Sequence, residues 1–123
     1  MNDNHNLTTA EEKLASIIWQ KAPIASPALV DIAWETLGWK KSTTYTVLRK
    51  LCEKGVFTNN NALVETALTR EQLTAMQSRR FVNSSCGGSL PAFIAAFASG
   101  KKLSPKEAKE IKALIDSLQE DNK

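Results

Sequence analysis

Apolar residues recur along this chain at intervals of three and four, interrupted by short polar connectors, and that spacing predicts a mainly helical protein. The first stripe holds Leu14, Ile17 and Ile18, with Ala10 before it and Trp19 closing it. Thr8-x-x-Glu11 opens it as a capping box, and Leu7 is placed to act as a hydrophobic staple. Gln20 to Ala25 reads as a connector, because Pro23 does not continue a helix. Ser26-Pro27 restarts helix as N-cap and first-turn proline, Val30, Ile32, Ala33 and Leu37 give it apolar surface, and Gly38 ends it. A third stripe, Thr44, Val47, Leu48 and Leu51, follows the i, i+3, i+4, i+7 rule within Trp39 to Phe57, and Gly55 stops it.

The period then changes. Val56-Phe57 and Leu63-Val64 flank Asn59-Asn60-Asn61, residues that tolerate left-handed geometry, which predicts a short β-hairpin. Three more helices follow. Thr69-x-x-Gln72 caps one bearing Leu73, Met76, Phe81 and Val82 and running to about Ser84. Ser89 caps a second with Leu90, Phe93, Ile94 and Phe97, ended by Gly100. Ser104-Pro105-x-Glu107 starts the last, whose apolar face is Ala108, Ile111, Leu114, Ile115 and Leu118.

Length and composition narrow the class. At 123 residues the chain suits one core with an appendage, and 42% hydrophobic with 24% charged is ordinary for a globular protein. No apolar run approaches a membrane span, and the polar, acidic start is unlike a secretory signal, so membrane insertion is not expected and a cytoplasmic location is. The first six residues read as disordered, with His5 a solvated tail residue. Cys52 and Cys86 form neither a disulfide framework nor a Cys-x-x-Cys pattern, so no metal and no cofactor is expected. Cys52 lies beside an apolar stripe as a near-core residue, and Cys86 sits in a loop-like stretch. No Cys-His-acid set, paired carboxylates or glycine-rich phosphate loop appears, which argues against an enzyme.

The net charge of +3 says little by itself, since Met1 to Phe57 carries seven cations against six acids. Its local distribution says more. Between Trp39 and Lys54 there are five cations and one acid, Glu53. Outside the apolar stripe this helix carries Ser42, Thr43, Tyr45, Thr46, Arg49 and Lys50, with Lys40 and Lys41 just before them. Cations neutralise phosphates, and hydroxyls and Arg reach base edges. Helix, short turn, basic helix and hairpin in that order make a winged helix-turn-helix head, with those eight residues as the candidate DNA contacts. Three of them have blander alternatives: Ser42 as a cap, Tyr45 as packing, Arg49 as a phosphate contact only. Trp19, Trp34 and Trp39 are expected in the core rather than against nucleic acid. The hairpin has no Lys or Arg, so as a wing it has only amides and backbone to offer.

The C-terminal helices have more apolar surface than a short chain covers alone. Phe81, Leu90, Phe93, Ile94, Phe97, Ile111, Leu114, Ile115 and Leu118 are therefore the candidate homodimer interface, with folding back on the head as the alternative. The organisation expected is a DNA-binding head at 7–67 and a helical dimerisation region at 68–120. A protein-interaction adaptor with a winged head and no specific DNA binding is the competing function.

Several stretches resemble the penicillinase-repressor family. They are Leu7-Thr8-x-Ala10-Glu11 with Ile17-Ile18-Trp19, then Trp39, Thr43-x-Tyr45-Thr46-x-Leu48 and Leu51-x-x-Lys54-Gly55. Gly88-Ser89, Phe97 and Leu103-Ser104-x-x-Glu107 continue the match, so that the resemblance spans about residues 7–118. The resemblance implies a dimeric winged-helix repressor on an operator with dyad symmetry. In β-lactam-responsive relatives a membrane sensor-peptidase triggers cleavage in the C-terminal region, and the corresponding bond here is Ala96–Phe97, where the best-known relatives have Asn-Phe. The usual Ser at the start of the reading helix is Lys40, and the cysteine cluster of copper-responsive relatives is missing.

Overall fold

The computed structural model describes residues 5–121, so the expectation of disorder falls mostly outside the described residues. His5 and Asn6 are described, and each uses its backbone carbonyl as an acceptor. In chain order the elements are α1 (Thr9–Lys21), β1 (Ile24–Ala25), α2 (Ser26–Leu37), α3 (Lys41–Glu53), β2 (Phe57–Asn60), β3 (Leu63–Thr66), α4 (Arg70–Ser85), α5 (Leu90–Ala98) and α6 (Pro105–Asp121). The architecture is mainly helical with a small antiparallel sheet, as the periodicity predicts. The chain forms two compact units, one ending at Arg80 and one beginning at Phe81, so that the division falls inside α4.

The head is built by helices whose ends the sequence marks clearly. The Thr8 hydroxyl accepts from Glu11 N–H, and the Glu11 carboxylate accepts from Thr8 N–H, a complete capping box. Gly38 ends α2 at φ 73°. At the end of α3, Gly55 N–H reaches Cys52 O and Val56 N–H reaches Leu51 O at 3.1 Å, the paired bonds of a Schellman motif. Gly55 supplies the φ of 80° that this motif requires, and buried Val56 and Leu51 close it. One core joins Leu14, Ala15 and Ile18 of α1 to Leu29 and Ala33 of α2 and to Val47, Leu48 and Leu51 of α3. Val56, Phe57, Val64 and Leu73 complete it. At roughly 1.5–3 kcal/mol for each large side chain withdrawn from water, this cluster is the main stabilising term of the head.

The structure corrects four expectations. Ile24–Ala25 is a strand as well as part of a connector. It pairs antiparallel with β3 (Ile24 with Val64, Ala25 with Leu63), so the hairpin becomes a three-stranded sheet of order β1-β3-β2. Two residues are too few to show any period, which is why the sequence carries no warning of it. Ser26 is the first residue of α2 and not its cap: Ala25 holds the N-cap position with no side-chain bond, and the Ser26 hydroxyl is buried. Leu29, unremarkable in the sequence, anchors α2, while Val30, Ile32 and Leu37 are less deeply placed. Trp34, expected in the core, is 61% exposed. Trp19 and Trp39 do pack against the core. Trp19 does so with its indole N–H donating to Leu68 O, its ring 5.5 Å from Phe57 and the Arg70 guanidinium 4.6 Å above it.

Beyond Arg80 the packing is of another kind. Ser89 caps α5, and Ser104 with Glu107 caps α6 as the sequence predicts. Phe81 meets Phe93 edge-on at 5.8 Å, and Phe93 lies 6.5 Å from Phe97. Yet no residue from 81 to 119 is buried.

The polar groups enclosed by the head make its stability testable in two ways. Burial pushes the Glu11 carboxyl up, but the Lys54 ammonium, the Thr8 N–H and the nearby Lys50 outweigh this and hold it below the carboxylate value of 4.5. A depressed folded-state value stabilises above the unfolded value and is lost as pH falls through the folded one. Urea midpoints should therefore drop as pH falls below about 4.5 and Glu11→Gln should flatten that slope; an unchanged acid slope refutes the assignment. The second concerns Thr44, whose buried hydroxyl has no hydrogen-bond partner among the described residues. Thr44→Val should stabilise the head by about 1 kcal/mol, seen as a higher thermal midpoint, and a lower midpoint counts against it.

Candidate nucleic-acid interface

The face of α3 opposite its apolar stripe gathers nearly all the predicted contacts. Lys40, Lys41, Ser42, Thr43, Thr46, Arg49 and Lys50 are exposed, while Thr44, Val47, Leu48 and Leu51 are buried. The burial is what aims the outer side chains: once the stripe is docked, rotation of α3 about its axis would expose Leu48 or Leu51.

Tyr45 departs from the rest. It is half-buried against the core, and its hydroxyl lies 3.3 Å from the Ser26 hydroxyl. Ser26 also donates its backbone N–H to Ala62 O in the hairpin turn at 2.8 Å. Tyr45 thus sits in a small polar junction linking α3, the start of α2 and the hairpin. Nothing in the sequence marks Ser26 as part of this site, because Ser-Pro reads locally as a helix start.

The start of α3 shares its lack of a first-turn acid with α2 and α5, and differs from both in carrying lysines there. Lys40 is the N-cap and makes no side-chain cap, Ser42 does not cap either, and the first turn has no acid. By contrast α1, α4 and α6 each place Glu in the first turn. Cations at the positive end of a helix are disfavoured by a few tenths to about 1 kcal/mol. An anion seated there would meet free backbone N–H groups and two lysines together, and the repulsion would become attraction.

Further along, Arg49 lies 3.9 Å from Glu53, with both side chains about two-thirds exposed (64% and 67%). Such a pair contributes little, so Arg49 can leave Glu53 for another anion at small cost. Lys54 is different: it is turned into the protein, bonded to Glu11. An open groove between α3 and β2 is lined by Tyr45, Leu48, Arg49, Cys52 and Asn59. Burial, with Glu53 nearby, raises the Cys52 thiol above its usual value, so it stays protonated at neutral pH. Cys86 is half-buried just after the end of α4, with its carbonyl accepting from Ser89 N–H.

The hairpin beside α3 is a tight wing. Asn61 and Ala62 form its two-residue turn, both with positive φ (53° and 63°). Thr58, Asn59, Asn60 and Asn61 are exposed, and no Lys or Arg occurs from 57 to 66. Among the described residues no group of His, Cys, Asp and Glu could hold a metal ion, and no single helix is long and apolar enough to cross a membrane.

In the second unit Phe81, Leu90, Ile94, Phe97, Leu114, Ile115 and Leu118 are exposed, while Phe93 and Ile111 are half-buried. The Ala96–Phe97 bond lies in the last turn of α5, where Ser99 N–H donates to Ala96 O at 3.3 Å. No curated protein matches the chain in a direct comparison. The family model of the penicillinase repressor, however, matches residues 7–117, nearly the whole chain. A winged head with a basic third helix, matched over that span, makes this chain a member of the penicillinase-repressor family of DNA-binding transcriptional repressors.

Proposed function

We propose that the protein represses transcription as a homodimer, each copy laying α3 in the major groove of one half of a palindromic operator. The observation that carries the reading is the start of α3, where Lys40 and Lys41 stand at an acid-free, uncapped helix N-terminus. That arrangement is unfavourable in the free protein and favourable only with an anion bound. Lys40, Lys41 and Lys50 contact phosphate. Ser42, Thr43, Thr46 and Arg49 read base edges, with the threonine methyls suited to thymine and Arg49 to guanine. Tyr45 serves by packing and through Ser26. The wing contributes amides and backbone N–H groups alone. Its lack of cations and the modest net charge of the chain suit an adaptor instead, and the N-terminus of α3 outweighs both.

The second unit supplies the pairing surface. Seven large apolar side chains there are more than a third exposed, and no side chain from 81 to 119 is buried. A patch of that kind is covered in a stable protein, and a second copy covers it symmetrically. Loss of this surface releases the DNA, because two half-sites held by one dimer bind far more tightly than two separate heads. Cleavage at Ala96–Phe97 by a membrane sensor-peptidase system is one such route. It requires the last turn of α5 to unwind, since a protease takes its substrate extended.

Selection from a pool of random duplexes should enrich an inverted repeat bound at least about a thousand-fold more tightly than random DNA, with affinity falling steeply as salt rises. A pool that stays unenriched sinks the reading. Phe97→Glu and Phe93→Glu should sediment as monomers and lose at least about a hundred-fold in affinity for that repeat, a loss of avidity. An intact dimer in either variant would exclude this interface.

A further inference from the structure

Lys54 belongs by sequence to the cationic face of the reading helix, but it does not point with the others. It is the C-cap of α3, and its ammonium donates to Glu11 Oε1 at 2.6 Å and to Asn6 O at 2.9 Å. The Glu11 side chain is only 4% exposed, and the same oxygen accepts from Thr8 N–H at 2.9 Å. One residue earlier in the chain, His5 O accepts from the Gln77 side-chain amide of α4 at 2.8 Å. The segment from His5 to Glu11 is therefore a strap. Its first residue is held by α4, the end of the reading helix holds Asn6 and Glu11, and Glu11 already lies in the first turn of α1.

This geometry has a physical consequence for reading. A helix in the major groove selects sequence only if its outward side chains meet base edges within a fraction of an ångström. The start of α3 has no side-chain cap and is held by the packing of Trp39, Thr44 and Tyr45 and by the 3.3 Å contact between the Tyr45 and Ser26 hydroxyls, with no ion pair. The C-terminal end is fixed twice, by the Schellman bonds at Gly55 and by the Lys54 ion pair. A charge pair withdrawn from water is directional and costly to break, unlike the exposed Arg49–Glu53 pair on the same helix.

We propose that Lys54, clamped by Glu11 and the Asn6 carbonyl, is a positioning residue that sets the pitch of α3 and so governs operator selectivity without touching DNA. The proposal rests on the reading of α3 as the DNA-reading helix. It separates Lys54 from Lys40, Lys41 and Lys50, which act through phosphate. The strap also joins α3 to α4, the helix that continues into the second unit, so a change in α4 at Gln77 has a covalent and hydrogen-bonded route to the reading helix.

The test measures affinity for the selected inverted repeat and for random duplex in the wild type, Lys54→Met, Glu11→Gln and the double variant. It is run where circular dichroism shows each protein folded, and Glu11→Gln is the milder variant should Lys54→Met prove unstable. Affinity for the repeat should fall by about ten-fold in each single variant and no further in the double, since the two residues act as one unit. Affinity for random DNA and the salt slope should stay at wild-type values. A salt slope reduced by about one in Lys54→Met makes it a phosphate contact and overturns the proposal. So does unchanged selectivity in both single variants. Amide NMR of the DNA-free protein gives an independent readout: in Lys54→Met the signals of Asn6 to Glu11 and of Cys52 to Gly55 should shift together. Unchanged signals there remove the strap itself, whereas a wild type indifferent to DNA sequence removes the proposed function and the selectivity role with it.

Discussion

Everything about the head depends on how α3 is docked. Thr44, Val47, Leu48 and Leu51 form one stripe along thirteen residues, and their burial against α1, α2 and the sheet leaves a single rotational setting for the helix. Because a helix turns by a fixed angle per residue, docking one face commits the other. The lysines and hydroxyls therefore point outward as a consequence of apolar burial and need no contacts of their own. The same docking brings the helix end to Glu11 and the hairpin alongside the reading face. Thr44 is the weak point of the stripe, a hydroxyl buried where a methyl would do.

The two units meet opposite physical conditions. The head encloses a core of fully buried aliphatic and aromatic side chains, bounded by capped helix ends and a paired sheet. The unit beyond Arg80 has well-capped helices and an aromatic cluster but no enclosed core. Helix capping and periodicity are local and are satisfied in both. Burial is collective, and the helical segments from 81 to 119 bury none of their side chains among themselves. That imbalance is what a second copy would correct, and it gives the α5–α6 surface its role in the proposed dimer.

Much of this was legible in the chain. The capping boxes at Thr8 and Thr69, the stop at Gly55 and the α3 stripe appear where the pattern places them, since each depends on residues within a few positions of one another. What escaped has a common cause. The β1 strand owes its existence to β3, some forty residues away. Ser26 reads as a cap until Tyr45 arrives beside it, and Trp34 reads as core until its side of α2 turns out to face solvent. Lys54 counts as one more cation on a basic helix, and only the placement of Glu11, distant in sequence, shows that it is spoken for.

The sequence by itself determined the helices, their ends, the amphipathic division of α3 and the family, because these rest on short-range periodicity, capping chemistry and residue identity. Tertiary structure alone decided which polar groups remain available to a partner. A lysine at the start of α3 and a lysine at its end are the same residue to any pattern; long-range packing leaves one facing solvent and half-buries the other against a buried carboxylate. The division between contact and support proposed for α3 is therefore a property of the folded head, set by which charges are withdrawn from water together.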